Sequence, residues 1–519
     1  MLNIILIKDI LFRMIDSIVK IENIGTFKKL INRTKSFVTK DTKAGEEEEE
    51  EYSRYKDKYQ LLSIVDKGLS FFPPIYQEPF LNPIKKALET QVFEQLLEIY
   101  FSDGRNVLGD WISTIDQRIR KGEKLWSKST MAFTELCSDI YDGYVSKSAR
   151  KEAALPENQI LAPLTKWGGT EIYTHSVRIG TNLGIKVSVI SIPSKWSQHI
   201  ALWPLSVHEC YHDVVDAYEG LLNEVEDMIA EEFESSTVKE KFTEKMNWNG
   251  EERSIPEFAS EYWRRTMSET LADICSLLNL GPSAGISFAL FAISQNSNLT
   301  PSSYIDDPHP DSVLRIVIAR EVTKQLKELD FKVRNDYVKY FDKILEQFVY
   351  KKDNLMLYTT PYGEGKHYDC IIPFKSMEKT IEILVEKVAF TRLRSLGNHS
   401  LSEINAWTNR DQVLVERIAN DLLKENKKEQ VDAPHVENEQ DDQEVYAPHL
   451  RNGPDGQEVY AAHIVAAATL ALTNNPDIES ISKKALESLE QMYKTNPVWG
   501  KFPIAYRSDI EKADTIVAK

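Results

Sequence analysis

The chain has 519 residues, with 63 Lys and Arg against 80 Asp and Glu, so its formal net charge is −17. This acidity excludes a general nucleic-acid binder, because binding by counterion release requires a basic face. Hydrophobic residues make up 42% of the chain, which is enough for a large core, and the length suggests two or three domains. The four cysteines form no Cys-x-x-Cys pair, which indicates a reducing compartment.

The apolar stretches are short. Residues 1–16 are interrupted by Lys8 and Asp9 and lack a basic leader and a cleavage site, so we do not expect a signal peptide. The apolar run over residues 464–472 has about half of the roughly 20 residues that a membrane span needs. We therefore expect no membrane span and a cytoplasmic location.

Charge runs and apolar periodicity divide the chain into six segments. In chain order these are an amino-terminal helix with an acidic flexible stretch (1–60), a helical domain (61–165), a central domain (166–330), a helical region with a hairpin (331–426), an acidic linker (427–456) and carboxy-terminal helices (457–519).

The central domain changes from strand-like to helical patterning. Apolar residues alternate with period two over residues 172–179 and 185–189, which predicts strands. A buried helix is expected to begin near Pro204, since proline is typical of the first helical turn. A second helix is expected from residue 256 to about 280, where Gly281-Pro282 ends it.

The first of these helices contains the sequence His208-Glu-Cys-Tyr-His212. Histidines four residues apart share one helical face, so each can give a ring nitrogen to one Zn²⁺. Glu209 beside them can act as general base on a metal-bound water. The alternative is a helix with two incidental histidines. Burial of the helix, indicated by Val207 and Val214, favours the metal, because buried imidazoles and carboxylates need partners.

A catalytic zinc site needs a third protein ligand. The extended motif that places a third histidine six residues later is excluded, because Tyr218 stands there. The second helix offers Glu269 and Asp273, four residues apart on one face. Glu269 could complete the site, and Asp273 could accept a proton from a ligand histidine and fix its tautomer. The alternative is a solvent-facing acidic pair, which apolar neighbours such as Leu271 disfavour.

The order of His208-Glu-x-x-His212 and Glu269-x-x-x-Asp273 resembles the gluzincin class of zinc metallopeptidases. The resemblance implies one zinc ion per chain, with His208, His212 and Glu269 as its ligands. It covers about residues 185–320.

A third block, His309-Pro-x-x-x-x-Arg315, resembles a segment of the CaaX prenyl peptidase and heat-shock membrane peptidase families. This resemblance implies that His309 and Arg315 lie in the catalytic cleft, where they stabilise the oxyanion and hold the site together. Those families span membranes and this chain is expected not to, so their lipidated and membrane substrates do not carry over.

We therefore predict a mainly helical α+β protein with a zincin-like catalytic core. That core is expected to contain a small sheet and the motif helix, with helical domains on either side. In the expected mechanism zinc lowers the pKa of its water, Glu209 moves the proton to the leaving amine, and the metal and His309 stabilise the oxyanion. The resemblance implies that the strand over residues 185–192, which precedes the motif helix, lies at a sheet edge, where an extended peptide or protein substrate could pair.

Two alternatives stay open. The chain could be a zinc-stabilised or degenerate scaffold that binds a partner through its helices without hydrolysis, which a fourth protein ligand would support. It could also be a peptidase that processes itself or requires an activating partner, with the acidic arm or linker blocking the cleft.

Overall fold

Helices dominate the residues that the structure describes, and two small sheets accompany them. The structure is a computed structural model. It describes residues 24–39, 57–90, 106–119, 126–144, 161–169, 171–248, 251–296, 299–350, 353–358, 369–424 and 459–501. The predicted acidic linker and most of the predicted amino-terminal segment lie outside these residues. The fold is mainly helical α+β, as predicted.

The longer helices are numbered in chain order. They are α1 (Ile24–Val38), α2 (Lys58–Gly68), α3 (Asn82–Thr90), α4 (Val107–Ile119), α5 (Trp126–Tyr144), α6 (Trp203–Ala217), α7 (Leu221–Glu234), α8 (Ile255–Arg265), α9 (Met267–Leu280), α10 (Pro282–Gln295), α11 (Ser312–Gln325), α12 (Phe331–Phe348), α13 (Phe374–Phe390), α14 (Asn409–Leu423), α15 (Ala461–Asn474) and α16 (Ile478–Thr495).

The strands form one sheet of three strands and one of five. They are β1 (Leu164–Trp167), β2 (Tyr173–His175), β3 (Val189–Ile192), β4 (Lys245–Trp248), β5 (Glu251–Ser254), β6 (Ser302–Tyr304), β7 (Asn354–Tyr358) and β8 (Asp369–Pro373). In the smaller sheet β3 is central, parallel to β1 and antiparallel to β2. The larger sheet has the order β5-β4-β8-β7-β6.

The predicted edge position of the strand over residues 185–192 is wrong. The part that forms β3 is hydrogen-bonded on both sides, so no peptide can pair with it. β3 is not an edge strand because β1 pairs with its other side, and the sequence did not predict β1, whose residues are all buried. A strand buried on both faces lacks the alternating pattern by which strands are recognised. The edge strand that contacts α6 is β2 instead.

The predicted helix over residues 256–280 is two helices, α8 and α9. The chain breaks at Thr266, whose hydroxyl donates to the Tyr262 carbonyl. The Thr266 backbone N–H also donates to this carbonyl, and the residue has a φ of −92° and a ψ of 10°, where the helical backbone geometry ends. The predicted end at Gly281 is confirmed, since this residue has a φ of 63° and a ψ of −159°.

Helices from distant parts of the chain share one hydrophobic core. A single cluster of buried residues extends from Phe27 in α1 to Met492 in α16 and includes α6, α9 and α11. A smaller cluster joins α2, α3 and α4 to β1 and β3. Among the helices that the structure describes, none combines the length and the apolar character that crossing a bilayer requires.

Three helices bring the motif residues together. The motif helix α6 packs against α9, and α11 packs against both α9 and α10. α6 has Pro204 in its first turn, as expected, and most of its residues are buried. The face of α6 that carries the histidines therefore meets the face of α9 that carries the acidic residues.

We predict that Gly281→Ala destabilises the chain more than Gly184→Ala. Both glycines have a positive φ, but a Cβ at Gly281 would lie 2.6 Å from the indole of Trp407, whereas a Cβ at Gly184 would meet nothing within 4 Å. Strain and overpacking together should cost roughly 2–5 kcal/mol at Gly281, and strain alone roughly 1–2 kcal/mol at Gly184. Urea unfolding measures both losses. Equal losses would contradict the role assigned to Trp407.

Candidate metal centre

The two motif histidines lie side by side on α6. Their ring centroids are 5.0 Å apart and the rings meet edge to face. The His208 side chain is buried, while that of His212 keeps 19% of its surface exposed. This spacing is what the four-residue repeat on one helical face predicts.

Glu269 of α9 reaches both histidines. Its Oε2 lies 2.9 Å from His208 Nε2, and its Oε1 lies 3.4 Å from His212 Nε2. A nitrogen or oxygen atom from each of the three residues lies within 4.8 Å of the others. Two imidazole nitrogens and one carboxylate oxygen form a ligand set that catalytic zinc sites use. The residues therefore fit a divalent metal.

Asp273 lies behind His208, one helical turn after Glu269. Its side chain has no exposed surface, and its Oδ1 is 2.9 Å from His208 Nδ1. Arg315 of α11 donates to the same carboxylate from Nε at 2.7 Å and from Nη2 at 2.6 Å. The guanidinium also lies over the ring of Phe288, 4.9 Å from its centroid. The alternative of a solvent-facing acidic pair is wrong for Asp273.

Glu209 follows His208 directly in the sequence and has a contact of its own. Its Oε2 accepts a hydrogen bond of 2.6 Å from the hydroxyl of Thr174 in β2. Glu209 is not a member of the group whose atoms could hold a metal. Its part as a general base stays a prediction.

His309 lies at the exposed side of the cluster. Its Nε2 is 3.4 Å from Glu269 Oε2, and half of its side-chain surface is exposed. Asp307 holds the ring from the other side, since Asp307 Oδ1 lies 2.8 Å from His309 Nδ1 and also accepts from the His309 backbone N–H. Asp307 was not predicted, although its position two residues before a site histidine is typical of an Asx turn.

The ionisation of these groups is strongly coupled. Burial lowers the pKa of His208, but Asp273 and Glu269 outweigh it and raise that pKa to about 10. Burial raises the pKa of Glu269, yet the hydrogen bonds with His208 and His212 hold it well below its usual range. A metal ion must therefore displace the His208 proton, so metal binding should release a proton and weaken as the pH falls.

His175 and His199 are also buried, lie outside the cluster and have partners of their own. His175 Nε2 is 2.6 Å from Asp110 Oδ2, and His199 Nε2 is 2.8 Å from the hydroxyl of Thr34. Burial lowers the pKa of His199 to about 3. Both contacts are structural pairings.

Comparisons with known proteins find no match to this chain among protein-family models, curated proteins or solved structures. The chemistry assigned to the site therefore depends on the chain's own residues and their geometry.

We predict that Asp273→Ala weakens zinc binding by roughly 10- to 100-fold, the usual effect of removing a carboxylate that orients a ligand histidine. The control is Asp213→Ala, which removes a buried carboxylate of α6 that accepts from Ser188 and has no hydrogen bond to the histidines. Competition with a chelator measures both affinities. Equal affinities in the two variants would contradict an orienting role for Asp273.

Proposed function

We propose that this chain is a zinc-dependent metallopeptidase with a gluzincin-type core. One observation supports the proposal above all others. Two histidines of α6 and a glutamate of α9 converge, and a second glutamate, Glu209, follows His208 directly in the sequence without joining the cluster. Three metal donors and a carboxylate that is not itself a metal donor are the parts that metal-assisted hydrolysis requires.

His208, His212 and Glu269 would hold the metal. When bound, zinc supplies Lewis-acid chemistry and acidifies water at the site. Asp273, at 2.9 Å from His208 Nδ1, would favour the tautomer that carries its proton on that nitrogen, which would leave Nε2 as the donor atom.

Glu209 would move the proton. It neighbours His208 in sequence, and the Thr174 hydroxyl occupies only its Oε2. In this role the carboxylate takes a proton from the attacking water and gives it to the departing amine of the peptide.

His309 would stabilise the oxyanion of the tetrahedral intermediate. The hydrogen bond with Asp307 raises the pKa of the His309 ring against the effect of its burial, which favours the cation. The ring can then donate from Nε2, the atom that faces Glu269. Arg315 has a different part. Its Nε and Nη2 are both committed to Asp273, so it acts through that carboxylate by holding α11 against α9.

One observation favours the alternative of a zinc-stabilised scaffold that performs no hydrolysis. His309 Nε2 lies as close to Glu269 Oε2 as His212 Nε2 lies to Oε1, at 3.4 Å in both cases. As a fourth ligand His309 would close the site, which is typical of structural zinc. Because half of the His309 side chain is exposed, we favour the open, catalytic arrangement.

The same proposal includes a peptide or protein substrate, a cytoplasmic location and regulation by a partner or by the chain itself.

We predict one zinc ion per chain, lost on substitution of any ligand. His208→Ala, His212→Ala and Glu269→Ala each remove one of three donors, so none should retain stoichiometric zinc. His309→Ala is the matched comparison, and it should keep the metal if the site is open. Elemental analysis after gel filtration measures the zinc content of each variant. Full zinc in all three ligand variants would contradict the site, and zinc loss in His309→Ala would favour the scaffold.

We predict that Glu209→Gln keeps zinc and thermal stability but lowers hydrolysis by roughly 10²- to 10⁴-fold, because the amide cannot accept the proton of water. Proteomic comparison of new amino termini in cells with wild type and with Glu209→Gln identifies the substrate and its cleavage site. The control is Glu219→Gln, at an exposed position just after α6. A Glu209→Gln variant as active as wild type on a mapped substrate would overturn the mechanism.

A further inference from the structure

A strand outside the predicted motif contacts the proposed general base. Thr174 lies in the middle of β2, where its backbone is paired with Ile190 of β3. Its Oγ1 donates to Glu209 Oε2 over 2.6 Å. Within the part of the chain that the structure describes, no other group donates a hydrogen bond to this carboxylate. A hydrogen bond to a charged acceptor is short and roughly twice as strong as one between neutral groups.

The opposite face of β2 is fixed to a buried carboxylate. Side chains alternate along a strand, so Tyr173 and His175 point away from Thr174. The hydroxyl of Tyr173 and Nε2 of His175 lie 2.8 Å and 2.6 Å from Oδ2 of Asp110, respectively. Lys166 of β1 donates to the other oxygen of Asp110 over 2.6 Å. The residues before and after Thr174 in the strand therefore both contact the buried carboxylate of Asp110.

The charges of this anchor are mutually compensated. The Asp110 and Lys166 side chains are almost completely buried. Burial raises the pKa of Asp110, but the Lys166 ammonium and His175 outweigh it and hold that pKa well below its usual range. Breaking a buried pair of this kind costs several kcal/mol because one charge is left without a partner. These contacts tie β2 and β1 to α4 through one buried carboxylate.

We propose that Thr174 is a positioning residue for Glu209. A glutamate side chain rotates about three bonds, and the carboxylate of a general base must stay within hydrogen-bond reach of its water. The Thr174 hydroxyl holds Oε2 against the anchored strand, which limits this rotation and leaves Oε1 to accept the proton. The inference rests on the proposed function, because it assigns Thr174 a part in the same reaction.

Thr174→Val tests the role with little change in shape, because valine replaces the hydroxyl by a methyl group. Kinetics use a fluorogenic peptide that spans the cleavage site mapped with Glu209→Gln. We expect kcat to fall on the order of 10²-fold, as for other misplacements of a reacting group, with KM and zinc content unchanged. Thr174→Ser restores the hydroxyl and should return kcat to within roughly threefold of wild type.

Thr165→Val is the matched control. Thr165 is a buried threonine of β1 in the same sheet, and its hydroxyl has no hydrogen-bond partner among the described residues. Its substitution should leave kcat unchanged. A wild-type kcat in Thr174→Val, or a low kcat in Thr174→Ser, would overturn the inference while the peptidase proposal stands. Absence of hydrolysis by the zinc-loaded wild type would overturn the proposed function, and the inference with it.

A second readout needs no activity. In a double-mutant cycle on the metal-free chain, Thr174→Val and Glu209→Met each remove one partner of the hydrogen bond. The double variant should then melt no lower than the less stable single variant, because interacting residues give non-additive losses. Additive losses in melting temperature would mean that the two side chains are not coupled, and would contradict the inference whatever the kinetics show.

Discussion

The candidate site depends on how the charge of Asp273 is compensated. This carboxylate has no exposed surface, and an uncompensated buried ion would cost several kcal/mol. Arg315 supplies two hydrogen bonds from α11, and His208 Nδ1 lies 2.9 Å away on α6. One buried carboxylate thus ties α11 to the two helices that carry the metal donors.

A second buried carboxylate organises the other side of the site. Asp110 joins α4 to β1 and β2 through Lys166, His175 and Tyr173. The two centres meet at α6, where His208 faces Asp273 and the next residue, Glu209, faces the strand that Asp110 holds. The candidate ligand His208 and the candidate base Glu209 therefore contact different buried centres.

The sequence predicts those parts of the candidate site that depend on local spacing. His208 and His212 share a face because they are four residues apart on a helix, and Glu269 and Asp273 do so for the same reason. It also anticipated the mainly helical α+β class. The convergence of the two helices was suggested by the need for a third ligand and by the resemblance to a known order of motifs, since spacing along the chain does not tell which helices pack together.

The features that the sequence did not predict have physical reasons of a different kind. Thr174 contacts Glu209 across 35 residues through sheet pairing, and no local pattern carries that information. β1 was missed because burial on both faces removes the alternation of apolar residues. The break between α8 and α9 is a local change of backbone dihedral angles at Thr266, which helical periodicity does not reveal.

The central claim is that two histidines and a carboxylate jointly hold one zinc ion. X-ray absorption of the zinc-loaded chain tests it most directly, because nitrogen, oxygen and sulfur ligands differ in distance and scattering. The account predicts one zinc per chain with two histidine nitrogens and at least one oxygen at roughly 2.0–2.2 Å, and no sulfur. A sulfur ligand at roughly 2.3 Å, or a zinc without histidine scattering, would contradict it.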